Sequence, residues 1–400
     1  MNEPHSTTQS VDVLPEPDDG AKNWSQALCA QIEEQCNRTS GWIPFSEFMQ
    51  MALYAPGFGY YSNDLRKFGA EGDFITAPEV SPLFAQCIAR QVMDILSDMD
   101  NPVVLEFGAG SGVMAADMLL ELEQLNTLPE QYLILELSAS LKQRQQDTIK
   151  NKAAHLLDRV VWLEALPEEK FNGVVVANEV LDAMPVESFK ISGDVVESLY
   201  VYCRDSELAS EYKPATDSVT AIVRTIEERV ETHLPDGYCS EFNPAIAGWL
   251  QSIAATLEQG MVLLIDYGYA AAEYYHEERQ TGTLMCHYQH RAHADPLWYP
   301  GLQDITAFVD FTDVAYSAVD AGFDVSGYTS QAMFLMGAGL DELHQREVTD
   351  EVKKQVMLAQ QIKTLTLPSE MGERFKVMAL TKNYDEPLRG FIMQDLRGRL

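Results

Sequence analysis

The sequence predicts an α/β fold in which helices cover both faces of a mostly parallel β-sheet. Short runs rich in Val, Ile and Leu alternate with helical stretches, and near-continuous apolar strands are typical of a parallel sheet that is buried on both faces. The 400 residues are 46% hydrophobic, which is enough to bury a large core. The predicted strands are VVLEF (103–107), YLILEL (132–137), VVWLEA (160–165), GVVVAN (173–178) and MVLLIDYG (261–268). The helices predicted between them include residues 113–124, 139–150 and 244–258.

The segments before and after this core have their own compositions. Residues 1–22 are polar, acidic and contain prolines, which predicts a disordered tail. Residues 23–100 have a helical pattern broken by two loops, and we interpret them as an N-terminal helical region that carries a lid. The core is assigned to residues 101–385, with RFKVMALTKN predicted as a final strand at the edge of the sheet. Residues 386–400 are assigned as a C-terminal tail.

Two insertions interrupt the predicted core. Residues 187–231 contain ESFKISGDVVESLYVYCRD and SVTAIVRTIEERV, which look like antiparallel strands placed after the fourth core strand. Residues 270–312 are rich in His, Tyr, Pro and Gly and show no regular period. Long loops of this kind in compact domains are usually functional. We therefore interpret the second insertion as a lid loop over the active site.

Charge and cysteine usage limit the classes of partner. The chain has 61 acidic against 28 basic residues, a net charge of −33, which disfavours nucleic acid and membrane surfaces and suits a basic protein partner. No apolar run reaches the roughly 18–20 residues that would span a bilayer, so we expect no membrane insertion. The six cysteines lack CxxC spacing and predict reduced thiols. These observations predict a cytoplasmic location.

A glycine loop follows the first predicted strand. Gly108, Gly110 and Gly112 alternate with Ala109 and Ser111, and a helix is predicted to follow. Glycine lets a ligand approach the backbone closely because it has no Cβ. A phosphate-binding P-loop is excluded, because no lysine follows these glycines, and the GxGxxG pattern of dinucleotide sites does not fit the spacing.

Acidic residues at two strand ends sharpen this interpretation. Glu106 lies two residues before the first glycine, where a carboxylate would repel a pyrophosphate but would suit a cationic ammonium group. Glu136 ends the second strand, where it can accept hydrogen bonds from two ribose hydroxyls. Together the two acids favour S-adenosylmethionine and a class I methyltransferase. A structural turn with two surface acids, or an NAD site, are the alternatives.

Six segments together resemble one family. They are GDFITAPEVSPLFAQ, LEFGAGSG, ANEVLDAMPVESF, FNPAIAGWL, LLIDYG and HRAHADPLWYPGLQDITAFVDFT. In these segments the chain is similar, over about residues 41–380, to the MidA family of S-adenosylmethionine-dependent methyltransferases, whose mitochondrial relatives methylate an arginine of a respiratory complex I subunit. The resemblance implies a Rossmann-like, seven-stranded class I core, an S-adenosyl-L-methionine cofactor and a protein substrate, with a homodimer left open. It implies cofactor contacts at Glu106, Gly108, Gly110 and Ser111, with Glu136 on the ribose and Asn178–Glu179 near the methionine end.

Two positions depart from the family pattern. Phe308 stands where the family commonly has histidine, and Ala294 precedes Asp295 where a second acid is common. If that histidine is catalytic in relatives, this chain manages without it.

The segment NEVLDAMP is the predicted substrate clamp. Glu179 and Asp182 are three residues apart just after the fourth strand, so a helical turn would direct both into one cavity. An arginine guanidinium is planar and cationic, and carboxylates are its natural partners. The alternative is that Asp182 only orients the loop before Pro185. Asp266, at the end of the fifth strand, is a secondary acid candidate.

A lid is predicted from two loops before the core. In GDFITAPEVSP, Asp73 and Thr76 are expected to contact the cofactor, and APEV can also begin a helix with Glu79 in its first turn. Tyr60 and Tyr61 in GFGYYS are interpreted as lid aromatics, with ordinary packing as the alternative.

The segment CHYQHRAH raises the question of a metal. Cys286, His287, His290 and His293 lie within eight residues, but no flanking acid completes a known metal motif and methyl transfer needs no metal. We therefore predict no metal. The segment is interpreted as a polar loop at the substrate entry, where Tyr288 and Arg291 contact the partner or the cofactor carboxylate.

The sequence as a whole predicts an S-adenosylmethionine-dependent methyltransferase that acts on a protein arginine, with a respiratory-complex subunit as the substrate that the resemblance suggests. A small-molecule methyltransferase, a cofactor-binding assembly chaperone without turnover and an NAD-dependent oxidoreductase are the alternatives. No nucleic-acid partner is expected.

Overall fold

The computed structural model describes residues 14–62, 76–205 and 207–400. The strands of these ranges are β1 (Ile43–Pro44), β2 (Val103–Phe107), β3 (Gln131–Leu135), β4 (Val160–Leu163), β5 (Phe171–Asn178), β6 (Glu187–Ser192), β7 (Val195–Arg204), β8 (Glu207–Pro214), β9 (Cys239–Phe242), β10 (Leu257–Tyr269), β11 (Met285–Tyr288), β12 (Arg291–His293), β13 (Asp304–Thr306), β14 (Val309–Asp310), β15 (Asp324–Ser330) and β16 (Phe375–Lys382). The helices are α1 (Asp19–Arg38), α2 (Phe45–Tyr54), α3 (Ala77–Val80), α4 (Pro82–Leu96), α5 (Val113–Gln124), α6 (Ala139–Ala153), α7 (Asp217–Arg229), α8 (Ile246–Thr256), α9 (Ala271–Tyr274), α10 (Phe311–Asp320), α11 (Gln331–Gly337), α12 (Leu340–Glu347) and α13 (Val352–Thr366).

The central sheet has seven strands in the order β4-β3-β2-β5-β10-β16-β15. The first five run parallel, whereas β16 is antiparallel to both β10 and β15. The short β14 adds to the carboxyl end of β10. This arrangement confirms the predicted α/β class and the predicted seven-stranded core. The strand order reverses at β2, and in such sheets ligands bind outside the carboxyl ends of the strands at that point.

Each face of the central sheet is covered by helices because alternate strand residues point to opposite faces. On one face, Val104 of β2 packs in a cluster with residues of α4, α5, α6 and α11–α13. On the other face, the next residue, Leu105, packs with α8 and α10. Both side chains are fully buried, so β2 is an interior strand that holds the loop at its carboxyl end in place.

Two smaller sheets lie outside the central sheet. One has the order β1-β7-β6-β9 with β8 paired to β7, and α1 and α2 pack against it through Leu28, Phe45 and Phe48. The other has the order β12-β11-β13. Its Cys286 and Ile305 belong to the same hydrophobic cluster as α1 and α2, so this sheet and the N-terminal helices form one packed unit.

The segment ESFKISGDVVESLYVYCRD forms the antiparallel strands β6 and β7, as predicted. The rest of the two insertions differs from its predicted structure. The predicted strand SVTAIVRTIEERV is the helix α7, because Thr216 caps it by accepting from the Val219 amide and because Val219, Val223 and Ile226 repeat with a helical period. The predicted lid loop 270–312 contains α9 and β11 to β14 rather than irregular chain. Both predictions relied on local composition, which tertiary packing overrode.

The chain termini and the edge strand also correct the predictions. Helix α1 begins at Asp19, capped by Asp18, and so overlaps the segment predicted as a tail, of which residues 1–13 lie outside the described residues. Strand β16 is covered by β15 and is not at the edge. The predicted C-terminal tail packs on the core, since Phe391 is buried and Arg389 pairs with Asp94 at 2.6 Å. None of the described helices is both long and apolar enough to cross a membrane.

Candidate active site

A cavity of about 890 Å³ opens at the carboxyl ends of β2, β3, β5 and β10. This volume is within the roughly 300–1,000 Å³ that is typical of small-molecule sites. The predicted site residues that line it are Thr76, Glu106, Gly108, Gly110, Ser111, Glu136, Asn178, Glu179 and Asp182. Gly112 is not among the lining residues, and Asp73 lies outside the described residues. The charged side chains at this cavity are Glu79, Glu106, Glu136, Glu179, Asp182, Asp304, Glu370 and Arg374. The cavity is therefore strongly acidic.

The glycine loop takes up left-handed backbone conformations. The φ angles of Gly108, Gly110 and Gly112 are 60°, 52° and 81°, a region that side chains with a Cβ rarely adopt. At Gly112 a Cβ would lie 2.9 Å from the Cα of Gln145 in α6. Gly108 and Gly110 therefore shape the cavity wall, whereas Gly112 allows α5 and α6 to pack closely.

Gln145 connects the glycine loop to the acid at the end of β3, and the sequence analysis did not single it out. Its amide nitrogen donates to the Gly110 carbonyl at 3.2 Å and to Glu136 Oε2 at 2.9 Å. Its own oxygen accepts from the indole of Trp162 at 2.9 Å. The other oxygen of Glu136 accepts from the Ser138 amide at 2.8 Å. Helix α6 thus fixes the orientation of Glu136 at the cavity wall.

Two further acids support the glycine loop. Glu106 is buried, and its Oε2 accepts a hydrogen bond from the Tyr132 hydroxyl at 2.6 Å. Burial raises the pKa of Glu106 to about 7, so a positive charge beside it would favour its ionised form. The Ser111 hydroxyl donates to Glu79, which follows Pro78 in the short helix α3. This contact joins the glycine loop to the segment predicted as a lid.

Residues 178–182, named here the acid turn, are held by Asp266. The Oδ2 of Asp266 accepts from the backbone amides of Val180, Leu181 and Asp182 at 3.0–3.3 Å. Its Oδ1 accepts from the Tyr267 amide at 2.9 Å. Asp266 is fully buried and does not line the cavity, so it positions the acid turn instead of acting as the secondary acid that the sequence suggested.

The acid turn brings Glu179 and Asp182 into one cavity, as predicted. Burial and the neighbouring Asp182 carboxylate raise the pKa of Glu179 to about 8. Burial also raises the pKa of Asp182 to about 6, against the opposing effect of a hydrogen bond donated by the Tyr267 hydroxyl. The Oδ1 atoms of Asn178 and Asp182 are buried acceptors without a donor in the described part of the chain. The turn therefore presents acceptors suited to a cationic, N–H-rich ligand.

Asp304 is a site residue that the sequence analysis missed. It lies on β13, is 2% exposed and lines the cavity. The Tyr61 hydroxyl is 3.0 Å from both of its carboxylate oxygens. Tyr61 stacks on Tyr54, and both tyrosines line the cavity, whereas Tyr60 is buried in packing. The sequence did contain a signal for it, because Asp304 is the acid of LQDITAF, which is part of a segment that carries the family resemblance.

The His-rich segment forms a hairpin. β11 and β12 pair so that Cys286 lies opposite His293 and His287 opposite Ala292, with His290 in the turn. No group of three or more His, Cys, Asp or Glu side chains among residues 14–62, 76–205 and 207–400 is arranged to hold a metal ion. His287 lines the cavity.

Of the aromatic residues near this hairpin, Phe308 lines the cavity and Tyr288 does not. Tyr288 is buried, stacks edge-on against Trp298 with ring centroids 4.7 Å apart and does not line the cavity, which corrects its predicted ligand contact. Phe308, at the position where the family commonly has histidine, lines the cavity and packs edge-on against Tyr267 with centroids 5.2 Å apart. Arg291 is exposed on β12.

Comparison with known proteins gives consistent matches. A family model described as a putative S-adenosyl-L-methionine-dependent methyltransferase matches residues 87–329. The protein arginine methyltransferase NDUFAF7 homolog, mitochondrial, of Caenorhabditis elegans is 28% identical over 374 residues, covering 86% of this chain and 84% of that protein. The human protein arginine methyltransferase NDUFAF7, mitochondrial, is 25% identical over 374 residues, covering 86% and 81%. The crystal structure of a protein from Burkholderia thailandensis that is described as a likely methyl transferase, bound to S-adenosyl-homocysteine, is 41% identical, with a TM-score of 0.92, covering 97% of this chain and 100% of that one.

Proposed function

Because this chain belongs to the MidA family of S-adenosyl-L-methionine-dependent methyltransferases, we propose that it methylates an arginine side chain of a protein substrate. The observation that carries the arginine assignment is the acid turn, where the half-buried carboxyl group of Glu179 and the buried one of Asp182 share one cavity. A guanidinium matches the ionised form of these carboxyl groups in charge, and it supplies the N–H donors that their oxygens can accept. The relatives named as protein arginine methyltransferases support the same substrate class.

The residues around β2 and β3 fit the cofactor. The left-handed conformations of Gly108 and Gly110 let a ligand approach their backbone. Glu136 is oriented to accept from ribose hydroxyls, and the unpartnered Asn178 Oδ1 suits an ammonium group, with Glu106 beside the glycine loop. When bound, S-adenosylmethionine supplies a methyl group on a positively charged sulfur, which is a good leaving group. Cofactor contacts at Ser111, Gly112, Thr76 and Asp73 stay predictions.

In this proposal the acid turn binds and deprotonates the substrate. Glu179 and Asp182 accept N–H groups of the guanidinium and fix its plane, which aligns the attacking nitrogen. The entering cation lowers the pKa of both carboxyl groups, so the proton that Glu179 holds in the free protein near neutral pH is released. Asp182 then accepts the proton that the attacking nitrogen loses, and Tyr267 keeps its carboxylate in place through the hydroxyl hydrogen bond.

The test is methyl labelling of a lysate that lacks the native enzyme. Wild-type protein with methyl-labelled cofactor should label a protein band, and mass spectrometry of that band should identify methylarginine. Glu179→Gln should abolish the label while keeping affinity for S-adenosyl-homocysteine within a few-fold, measured by calorimetry. The matched control is Glu277→Gln, which makes the same change at an exposed position outside the cavity and should label as wild type does.

Three outcomes would contradict the proposal. Label only in small molecules would identify a small-molecule methyltransferase. Tight cofactor binding without any label would favour an assembly chaperone without turnover. A labelled protein band that contains methyllysine would exclude arginine as the acceptor.

The finer predictions on partners and location rest on the sequence. The net charge of −33 suits a basic protein substrate, and a respiratory-complex subunit is the substrate that the family resemblance suggests. The cytoplasmic location and a homodimer remain predictions, and the curated relatives are named as mitochondrial proteins.

A further inference from the structure

Asp304 reaches the cavity from outside the core sheet. Glu179 and Asp182 follow β5, whereas Asp304 begins β13 in the small three-stranded sheet. The two parts of the site are joined, because the Ala307 amide donates to the Asp182 carbonyl at 3.0 Å. The Tyr54 hydroxyl also donates to the Ala183 carbonyl at 2.9 Å. The position of Asp304 relative to the acid turn is therefore fixed.

The carboxylate of Asp304 is held in one orientation. The Tyr61 hydroxyl contacts both of its oxygens, and the Ile305 amide donates to Oδ1 at 3.0 Å. Tyr61 is itself stacked on Tyr54, with ring centroids 5.5 Å apart and an interplanar angle of 22°. The negative charge of Asp304 also contributes to the raised pKa of Glu179, so the two carboxyl groups act on the same part of the cavity.

The number of donors distinguishes the two cationic side chains that a protein substrate could present. A guanidinium carries five N–H donors spread over three nitrogens in one plane, whereas a lysine ammonium carries three donors on a single nitrogen. On the acid turn, Glu179 Oε1 already accepts from the Asn178 amide and Asp182 Oδ2 from the Tyr267 hydroxyl. The turn therefore leaves two other carboxyl oxygens, which can satisfy an ammonium or one edge of a guanidinium. A guanidinium needs acceptors on a second edge as well, and a carboxylate that enters from another element can provide them.

We propose that Asp304, oriented by Tyr61, accepts the N–H groups of the guanidinium nitrogen that is not methylated and thereby selects arginine over lysine. This inference rests on the proposed function of the acid turn. It assigns to Asp304 direct contact with the substrate, and to Tyr61 a positioning role. Neither residue contributes to the predicted cofactor contacts, so the two assignments can be separated from cofactor binding.

The test measures binding of two small probes to protein saturated with S-adenosyl-homocysteine. Dissociation constants of N-acetyl-arginine amide and N-acetyl-lysine amide are measured by NMR titration for the wild type, Asp304→Asn and Tyr61→Phe. Asp304→Asn should weaken the arginine probe about 10- to 100-fold, the usual effect of losing a charge-assisted contact, and the lysine probe less than about threefold. Tyr61→Phe keeps the carboxylate and should give a smaller loss in the same direction.

The first control tests whether the variants are folded, and the second tests whether the effect is specific to Asp304. Affinity for S-adenosyl-homocysteine and the thermal midpoint should match the wild type. Asp320→Asn, an identical change at an exposed position of α10, should leave both probe affinities unchanged. If Asp304→Asn keeps the wild-type preference for arginine, the role of Asp304 is overturned and the arginine substrate stands. If the wild type itself shows no preference for the arginine probe, the proposed function fails, and this inference fails with it.

Discussion

At the scale of single residues, Glu179 combines an unusual backbone with an unusual charge. Its φ angle is 52°, in the left-handed region that non-glycine residues rarely adopt, and its side chain is a half-buried carboxyl group whose pKa is raised by burial and by a second carboxyl group. Such conformations persist only where surrounding contacts hold them, and they often occur at functional sites. Here the holding contacts are the three amide hydrogen bonds to Asp266 and the bond from the Glu179 amide to the Ile265 carbonyl at 2.9 Å.

The first prediction concerns the support of the acid turn. Asp266→Asn replaces one accepting oxygen by an NH₂ group that cannot accept from the backbone, so the turn should shift. A displacement of about 1 Å in a site of this kind commonly lowers the rate about 100-fold. We expect kcat to fall by about 10- to 100-fold, with affinity for S-adenosyl-homocysteine changed by less than about threefold. A wild-type kcat in Asp266→Asn would show that the turn does not depend on this residue.

The second prediction concerns pH and stability. The pKa of Glu179 is raised from 4.5 to about 8, so the folded protein binds this proton more tightly than the unfolded chain does. Below about pH 4.5 Glu179 is protonated in both the folded and the unfolded state, so it does not lower the free energy of unfolding. As the pH rises from 4.5 towards 8, the unfolded chain ionises Glu179 more easily than the folded protein does, and the free energy of unfolding falls. Glu179→Gln should therefore raise the free energy of unfolding by roughly 1–4 kcal/mol at pH 8 and by much less at pH 5. Chemical denaturation without cofactor at both pH values measures the difference. An equal effect at both pH values would contradict this explanation.

At the scale of elements, the bounds of helices and strands were predicted best where the hydrophobic pattern is strongly periodic and glycines mark where the element ends. The predicted strand 103–107 and helix 113–124 agree with β2 and α5 at both ends, because an apolar run ends at glycines and a helical pattern follows. Helix α7 was missed because its β-branched residues favour strands locally. Its capping threonine, the helical spacing of its apolar residues and its burial against the small sheet identify it as a helix. Packing with distant residues decides such segments.

The third prediction compares two glycines with similar backbones. Gly112 has a φ of 81° and its Cβ would clash with the α6 backbone, whereas Gly322 has a φ of 89° and open space around it. Gly322→Ala should lower the free energy of unfolding by about 1–2 kcal/mol, because alanine is strained in the left-handed conformation. Gly112→Ala should cost roughly 1–3 kcal/mol more because α5 and α6 must separate. The difference between the two losses of unfolding free energy measures the close contact between Gly112 and the α6 backbone. Equal losses would mean that α6 can shift to accommodate the added methyl group without a measurable cost.

At the scale of the whole molecule, the site could be predicted only in part. The sequence located Glu106, Glu136 and the acid turn because each lies at the end of a recognisable strand whose carboxyl end must face the ligand. It could not predict that Tyr61 contacts Asp304, since the two residues are 243 positions apart and come from regions without a regular period. A contact between two irregular segments depends on the complete fold.

The fourth prediction uses the net charge. A charge of −33 attracts a basic substrate over distances that salt screens. Raising the salt concentration from about 20 to about 200 mM should lower kcat/KM for a basic arginine-containing peptide about 3- to 10-fold. The affinity for S-adenosyl-homocysteine, which carries no net charge, should change less than about twofold. A kcat/KM that is independent of salt would show that the surface charge serves only solubility.

The cavity is built by two parts of the chain that belong to different sheets. The glycine loop, Glu136 and the acid turn follow strands of the central sheet, whereas Asp304 belongs to a small sheet inserted between β10 and α10. A change confined to the side chain at position 304 is therefore expected to leave the glycine loop and Glu136 in place, because β2, β3 and α6 hold them. Within a lineage of such enzymes, the choice of acceptor can diverge while the methyl donor stays the same. A chimera that exchanges residues 285–306 between two relatives would reproduce that divergence in one step.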